Sequence, residues 1–184
     1  METALLVMLV LALLGAFDTL YYHEYVCRLA VYGSKVAGEL RLHALRDFLY
    51  GVFFLTLPFY KWQGGLTFLL ALLILLEIAI TIWDFNTEAV ERVNIGGISN
   101  TERGLHLVMA VVYGVFLAHL FPHLLSWVRL DTGFGYQDPL PQWIRIAGVL
   151  FGAGVIGSGI RDLLASMGIR SFQRDLFGRE IQEY

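Results

Sequence analysis

The chain has little cysteine and little charge, and its N-terminus lacks the features of a cleaved signal. One cysteine, Cys27, among 184 residues excludes an intrachain disulfide framework. Charged residues make up 16% of the sequence, and because the basic ones are dispersed we expect no nucleic-acid binding. No basic segment precedes the apolar run that begins at Ala4, and no A-x-A site follows it. We therefore expect an uncleaved first membrane helix.

What the chain has in abundance is apolar sequence. Hydrophobic residues make up 57% of it and the mean hydropathy is +0.64, which is typical of membrane proteins. A bilayer core needs about 20 apolar residues per helix, and five segments meet this need. The sequence thus predicts an all-α, polytopic integral membrane protein with one transmembrane domain over 1–166 and a cytoplasmic surface tail over 167–184. The five predicted spans are about 5–29, 43–60, 66–83, 105–127 and 140–164.

Basic residues are distributed unevenly between the two sides of this arrangement. The side with the 28–46 and 84–104 loops and the tail carries most of them, whereas the other side has only Lys61, Arg129 and Arg145. The positive-inside rule then predicts an N-terminus outside the membrane and a C-terminus in the cytoplasm.

Two stretches of the chain repeat each other. The repeats cover about 17–58 and 81–122, and the predicted helix over 140–165 stands outside them. Such a duplication predicts that the first four helices form a duplicated four-helix bundle. The first copy contains Glu24-x-Val26-x-Arg28, Glu39-x-x-x-His43 and Tyr50-Gly51-Val52-Phe53, and the second contains Glu88-x-Val90-x-Arg92, Glu102-x-x-x-His106 and Tyr113-Gly114-Val115-Phe116.

The shared polar residues have side chains that bind metals. Residues at i and i+4 lie on one helix face, and alternating helices bring both copies to one depth near the cytoplasmic interface. Polar groups at such positions in a membrane protein favour a functional site. We therefore predict that the metal ligands are Glu24, Glu39, His43, Glu88, Glu102 and His106.

This ligand set resembles the di-iron carboxylate sites of ferritin-like four-helix proteins, in which two helices each give Glu and two give Glu plus His. The resemblance covers about 17–116, and the spacing here is Glu-x-x-x-His rather than Glu-x-x-His. It implies two metal ions, with iron as first choice and zinc or manganese as alternatives. It also implies a di-iron oxidase or oxygenase that acts on a lipid-soluble substrate such as a quinol or a lipid.

Other polar residues are predicted to surround this centre. Asp18, Asp84 and Asp47 are placed to orient the histidines, and His23 neighbours Glu24. Tyr50 and Tyr113 lie seven residues beyond each histidine, where they could line a substrate pocket or relay electrons. Glu77 lies well inside a predicted span and is expected to be hydrogen-bonded.

Three alternatives remain open from the sequence. The glutamates could form a structural salt-bridge layer, and Glu102 fits a helix-capping box with Ser99. His43 and His106 could instead be the two axial ligands of haem b. The chain could also be an ion- or proton-coupled transporter, or a membrane assembly factor. Besides membrane lipid, a second copy is a possible partner, since the Gly148-x-x-x-Gly152 pair lets another helix approach closely.

Overall fold

Long helices dominate the computed structural model, which describes residues 1–174 and 176–177. In chain order they are α1 (Glu2–Val26), the short α2 (Leu29–Tyr32), α3 (Ala37–Thr56), α4 (Gly65–Glu91), α5 (Asn100–Trp127) and α6 (Gln142–Ser166). The part of α1 over Asp18–Val26 is a π-helix, and 3-10 turns cover Gly33–Val36 and Arg92–Ile95.

Four of these helices, α1, α4, α5 and α6, are long and apolar enough to cross a membrane, as expected of a membrane protein. Helix α3 is different because four charged residues interrupt its apolar sequence: Glu39, Arg41, Arg46 and Asp47. Helices α3 and α4 also extend beyond the predicted spans, to Ala37 and Glu91 respectively. Polar residues at these ends continue the helices past their apolar parts.

The helices pack side by side around a shared interior. Helix α3 packs against α6 on one side and α4 on the other, while α1 packs mainly against α5 and less against α6. The larger core cluster contains fully buried side chains from every long helix, among them Leu5, Phe53, Leu70, Phe116 and Ile144. This apolar core occupies the half of the bundle that begins at Met1.

A small antiparallel sheet closes that end of the bundle, which we call the sheet end. Strands β1 (Tyr60–Gln63) and β2 (Gly133–Tyr136) pair with Tyr60 opposite Tyr136 and Gln63 opposite Gly133. The all-α prediction did not include this sheet, because both strands are only four residues long and lie in loops. Trp62 of β1 is buried, and its indole N–H donates to Thr56 Oγ1 at 3.2 Å.

The opposite end holds α2 and the two 3-10 turns, and we call it the connector end. Helix α3 starts there, since the Gly38 and Glu39 backbone N–H groups donate to the Glu91 carboxylate at 3.2 and 3.0 Å. Of the predicted tail, Phe172 packs against a small cluster that includes Leu29 and Leu40. In the same tail, residue 175 and residues 178–184 lie outside the described residues.

Candidate metal centre

The π-helix in α1 brings two potential ligands onto one face. Its hydrogen bonds join residues five apart, as in the 2.7 Å bond from the Cys27 N–H to the Tyr22 carbonyl, so residues i and i+5 project together. Asp18 and His23 have this spacing, and His23 Nε2 lies 3.5 Å from Asp18 Oδ2. The local backbone therefore pairs a carboxylate with an imidazole.

Helices α3 and α5 each supply a Glu and a His one turn apart. Glu39 is fully buried and its Oε1 lies 3.7 Å from His43 Nε2. In α5 the Ser99 hydroxyl accepts the Glu102 backbone N–H at 3.1 Å, which is the Ser99 half of the predicted capping box, whereas the Glu102 carboxylate accepts from Arg92. That cap fixes the start of α5, so Glu102 and His106 both face the interior, where they are buried.

Four of these residues form a cluster that we call the α1–α5 group: Asp18, His23, Glu102 and His106. One ligand atom from each lies within 4.8 Å of all the others. Asp18 Oδ2 is 3.3 Å from His106 Nε2. The group therefore offers two carboxylates and two imidazoles around one point.

A second cluster, the α3–α4 group, consists of Glu39, His43 and Glu88, whose ligand atoms also lie within 4.8 Å of one another. The two groups are adjacent. The His23 and His43 rings stack with centroids 4.5 Å apart, and Glu88 Oε1 lies 3.4 Å from His106 Nδ1. Both groups therefore belong to one interior site near the connector end.

Two further carboxylates approach His43. Asp84 Oδ2 lies 3.3 Å from Nε2, and Asp162 Oδ2 of α6 lies 3.9 Å from Nδ1. Asp84 also accepts a 2.7 Å hydrogen bond from Arg46. The Asp84 carboxylate is therefore shared between an imidazole and a guanidinium group.

Arg92 is an unexpected member of the site. It is completely buried, and its guanidinium donates to Glu39 and to Glu102, while Glu88 Oε2 lies 3.7 Å away. Burial alone would lower the pKa of Arg92, but its hydrogen bond to Glu39 and the charges of Glu39 and Glu102 raise that pKa above its ordinary value. Arg92 is therefore a fixed positive charge that ties one carboxylate of each group together.

Negative charge still exceeds positive charge at this site. Arg92 and Arg46 supply two positive charges against six carboxylates, so four negative charges remain when the imidazoles are neutral. Charges buried in this way require compensation by cations or by protonated histidines. The six carboxylates are Asp18, Glu39, Asp84, Glu88, Glu102 and Asp162.

Several buried polar atoms at the site have no hydrogen-bond partner among the described residues. Such atoms are costly to bury unless something binds them. They supply both oxygen and nitrogen lone pairs, which is the donor set of iron, manganese or zinc. The atoms are Asp18 Oδ1, His23 Nε2, Glu39 Oε2, His43 Nδ1 and Asp84 Oδ1.

The structure brings five of the six predicted ligands into the two groups and places the sixth elsewhere. Glu24 forms a bidentate ion pair with Arg161 of α6. Asp18 and His23, which the sequence placed around the centre, lie directly in the α1–α5 group. The reason is the π-helix, because its wider turn takes Glu24 off the face that Asp18 and His23 share.

The remaining predicted pocket residues lie deeper, toward the sheet end. Tyr50 donates to Glu77 at 2.9 Å, and Thr81 donates to the same Glu77 oxygen at 2.8 Å. The Tyr50 and Tyr113 rings meet edge to face with centroids 6.3 Å apart. Asp47 lies near His43, in the wall of a cavity between α1, α3 and α6.

Two cavities, each of about 310 Å³, flank the site. The first lies between α1, α3 and α6, and the second lies between α1, α3, α4 and α5. The same four residues of the site line both cavities, so a molecule bound in either cavity could contact the site. The shared lining residues include Asp18, His23, His43 and Arg46.

Comparison with known protein families, curated proteins and solved structures found no match. The residues of the site are therefore the basis for assigning a function. Sequence reasoning missed the bridging position of Arg92 and the central position of His23. The signal for Arg92 was present, because it repeats in register with Arg28, but the repeat alone does not indicate which carboxylates it reaches.

Proposed function

We propose that this chain is a membrane metalloprotein whose two carboxylate–histidine groups bind two divalent metal ions near the connector end, and that it oxidises a lipid-soluble substrate. The observation that carries the proposal is the pair of adjacent buried groups, which together offer four carboxylates and three imidazoles. Two divalent cations would offset the four uncompensated negative charges. Imidazole nitrogens and carboxylate oxygens are donors that such ions bind.

Iron is the first choice for these ions because a bridged pair of irons activates dioxygen, and mixed oxygen and nitrogen ligands suit it. The side chains of this chain would orient the ligands and exclude bulk water. Asp162 would orient His43, and Arg92 would hold Glu39 and Glu102 in place. Tyr50 and Tyr113 lie between the site and the apolar core, where they would line the substrate pocket.

The proposal includes α3 as a fifth span and places the connector end in the cytoplasm. Helix α3 starts at the connector end, and β1 follows it at the sheet end, so α3 has the same two ends as the four apolar helices. Its charged side chains would be tolerated because Glu39 is fully buried and Arg46 is paired with Asp84.

Haem ligation by His43 and His106 has less support. Asp84 lies 3.3 Å from His43 Nε2, and Asp18 and Glu88 lie 3.3 and 3.4 Å from the two nitrogens of His106. The stacked His23 ring covers one face of His43. These neighbours occupy the directions from which a haem iron would approach.

Metal content tests the proposal directly. Protein purified in mild detergent without added metal should contain about two divalent ions per chain, measured by mass spectrometry of the elements. His43→Ala and His106→Ala should each lose about half of the metal or more, because each removes an imidazole from a different group.

His119→Ala is the matched control, since His119 is exposed on α5 away from both groups, and it should keep its metal. Glu24→Gln should keep it as well. Folded protein without metal, or with a Soret absorption band, would contradict the two-metal proposal. Loss of metal in Glu24→Gln together with retention in a His23→Ala variant would contradict the ligand assignment.

A further inference from the structure

The cavity between α1, α3 and α6 has an apolar wall and a polar inner end. Its volume is about 310 Å³, at the lower limit of ligand pockets. The apolar wall is formed by Leu11, Ala12, Met109, Leu150, Phe151 and Val155, and the inner end by Asp18, His23, His43 and Arg46.

The helix packing explains why this space exists. Helix α1 packs mainly against α5, and α6 packs mainly against α3, so a cleft is left between α1 and α6. Glycines widen it on both sides, at Gly15 of α1 and Gly154 of α6. No atom lies within 4 Å of the position that a Cβ on Gly154 would take. A Cβ placed there would therefore stand in open space beside the cavity that Gly154 lines.

The mouth of the cavity faces the surface that contacts lipid. Leu20 and Leu150 line it and are 54% and 67% exposed. Both lie on helices that are apolar enough to cross a membrane. Since exposed leucines on such helices face hydrocarbon, the cavity opens sideways into the bilayer rather than into water.

We propose that this cleft is the substrate site, and that it takes a lipid-soluble molecule with one unbranched hydrocarbon chain and an uncharged polar head. This inference rests on the proposed function and names its substrate class and entry route. The narrow volume suits a single slender chain, which would lie against Leu150 and Phe151. The head would lie at the polar inner end of the cavity, beside Asp47 and Asp162, which are not proposed metal ligands.

Charge at the inner end argues for an uncharged head. Asp18, Asp47 and Asp162 line the cavity, whereas Arg46, its one guanidinium in the lining, is already paired with Asp84. A carboxylate head would meet like charges there. A hydroxyl group could instead donate a hydrogen bond to the Asp47 or Asp162 carboxylate.

Photolabelling tests this proposal with the full chain, carrying its metal, in phosphatidylcholine nanodiscs. The probe is a long-chain alcohol with a diazirine in the chain, and adducts are located by peptide mass spectrometry. We expect saturable adducts at Leu150 and Phe151, and weaker labelling by the fatty acid of equal length. Gly154→Phe should reduce the saturable adducts by about tenfold or more, because the ring occupies the cleft.

Gly157→Phe is the matched control. Gly157 lies on the same helix, is also exposed and has no atom within 4 Å of its Cβ position, but it does not line the cavity. The Gly157→Phe variant should give as many saturable adducts as the unchanged protein. Equal amounts of adduct in the Gly154→Phe and Gly157→Phe variants would overturn the proposal. Labelling that does not saturate with probe concentration would overturn it as well. Metal content is measured in the same samples. Cavity labelling in protein without metal would contradict only the metal centre. Bound metal without cavity labelling would contradict only the substrate site.

Discussion

At the scale of single residues, Arg92 connects the carboxylates of the site. Its guanidinium joins Glu39 of α3 to Glu102 of α5 from the end of α4, so one side chain fixes three helices relative to one another. An uncompensated carboxylate pair at this depth would be strongly destabilising. Arg92 therefore positions carboxylates whether or not a metal is bound.

Cys27 gives a prediction about pH that belongs to this scale. Burial raises the pKa of its thiol to about 11, partly offset by Arg92, whose Nη1 lies 3.6 Å from Sγ. A raised pKa keeps the thiol protonated. At pH 8 the thiolate fraction of Cys27 is therefore about a hundredfold smaller than that of a thiol with a pKa of 9.0. Alkylation by iodoacetamide should be correspondingly slow, and its rate should rise up to about pH 11.

The reference for this measurement is a small free thiol treated with the same reagent. Its rate should level off once the pH exceeds its ordinary pKa, whereas that of Cys27 should continue to rise. A Cys27 rate at pH 8 equal to that of the free thiol would show that the side chain is not desolvated.

At the scale of elements, the π-helix explains which parts of the site the sequence could predict. The Glu39–His43 and Glu102–His106 pairs follow from α-helical periodicity, and the structure places them as that periodicity predicts. Glu24 was assigned by symmetry with Glu88, but a π-helix changes the face that each residue occupies. Nothing in the local sequence of Asp18–Val26 indicates that wider turn, because it depends on packing.

The glycines of α6 also act at this scale. A Cβ on Gly148 would lie 2.9 Å from the Phe54 carbonyl oxygen and 2.9 Å from Pro58 Cγ, so α3 already occupies the predicted GxxxG surface. A dimer through the fifth predicted span stays a prediction, but it would have to use another face of α6. Gly148 and Gly152 thus stabilise the bundle by allowing α3 and α6 to approach each other closely.

Gly148→Ala should lower the free energy of unfolding by about 1–3 kcal/mol, because the added methyl group meets backbone rather than a flexible side chain. Chemical denaturation in detergent measures the change. Gly157→Ala, in open space on the same helix, should leave stability unchanged or raise it slightly. If both substitutions have the same effect, the close contact between α3 and α6 is not a source of stability.

At the scale of the whole molecule, hydropathy was sufficient to predict a helical membrane protein, and the structure has four helices able to span a bilayer. Hydropathy also predicted a span over 43–60, but α3, which covers Ala37–Thr56, is not one of these four helices because four charged residues interrupt its apolar sequence. Those charges are explained by partners on other helices, such as Arg46 with Asp84 and Glu39 with Arg92. Such long-range pairs cannot be identified from one sequence.

The number of spans can be tested by single cysteines in a Cys27→Ala background. Ser34 and Tyr136 are both exposed, and α3, α4 and α5 lie between them along the chain. If all three helices cross the membrane, the two positions are on opposite sides. An impermeant maleimide should label Tyr136→Cys in intact cells, and should label Ser34→Cys only after permeabilisation.

Labelling of both cysteines from the same side would show that α3 does not cross. The reverse pattern would keep five spans but invert the orientation. Comparable labelling of both variants in detergent serves as the control for access.

The small sheet has a consequence for how the molecule can open. It joins the loop between α3 and α4 to the loop between α5 and α6, so those four helices are fastened together at the sheet end. In the described part of the chain, α1 alone among the long helices has no strand attached to it. The sheet therefore leaves α1 to be held by side-chain contacts such as the Glu24–Arg161 ion pair, and widening the cleft between α1 and α6 would require that pair to break.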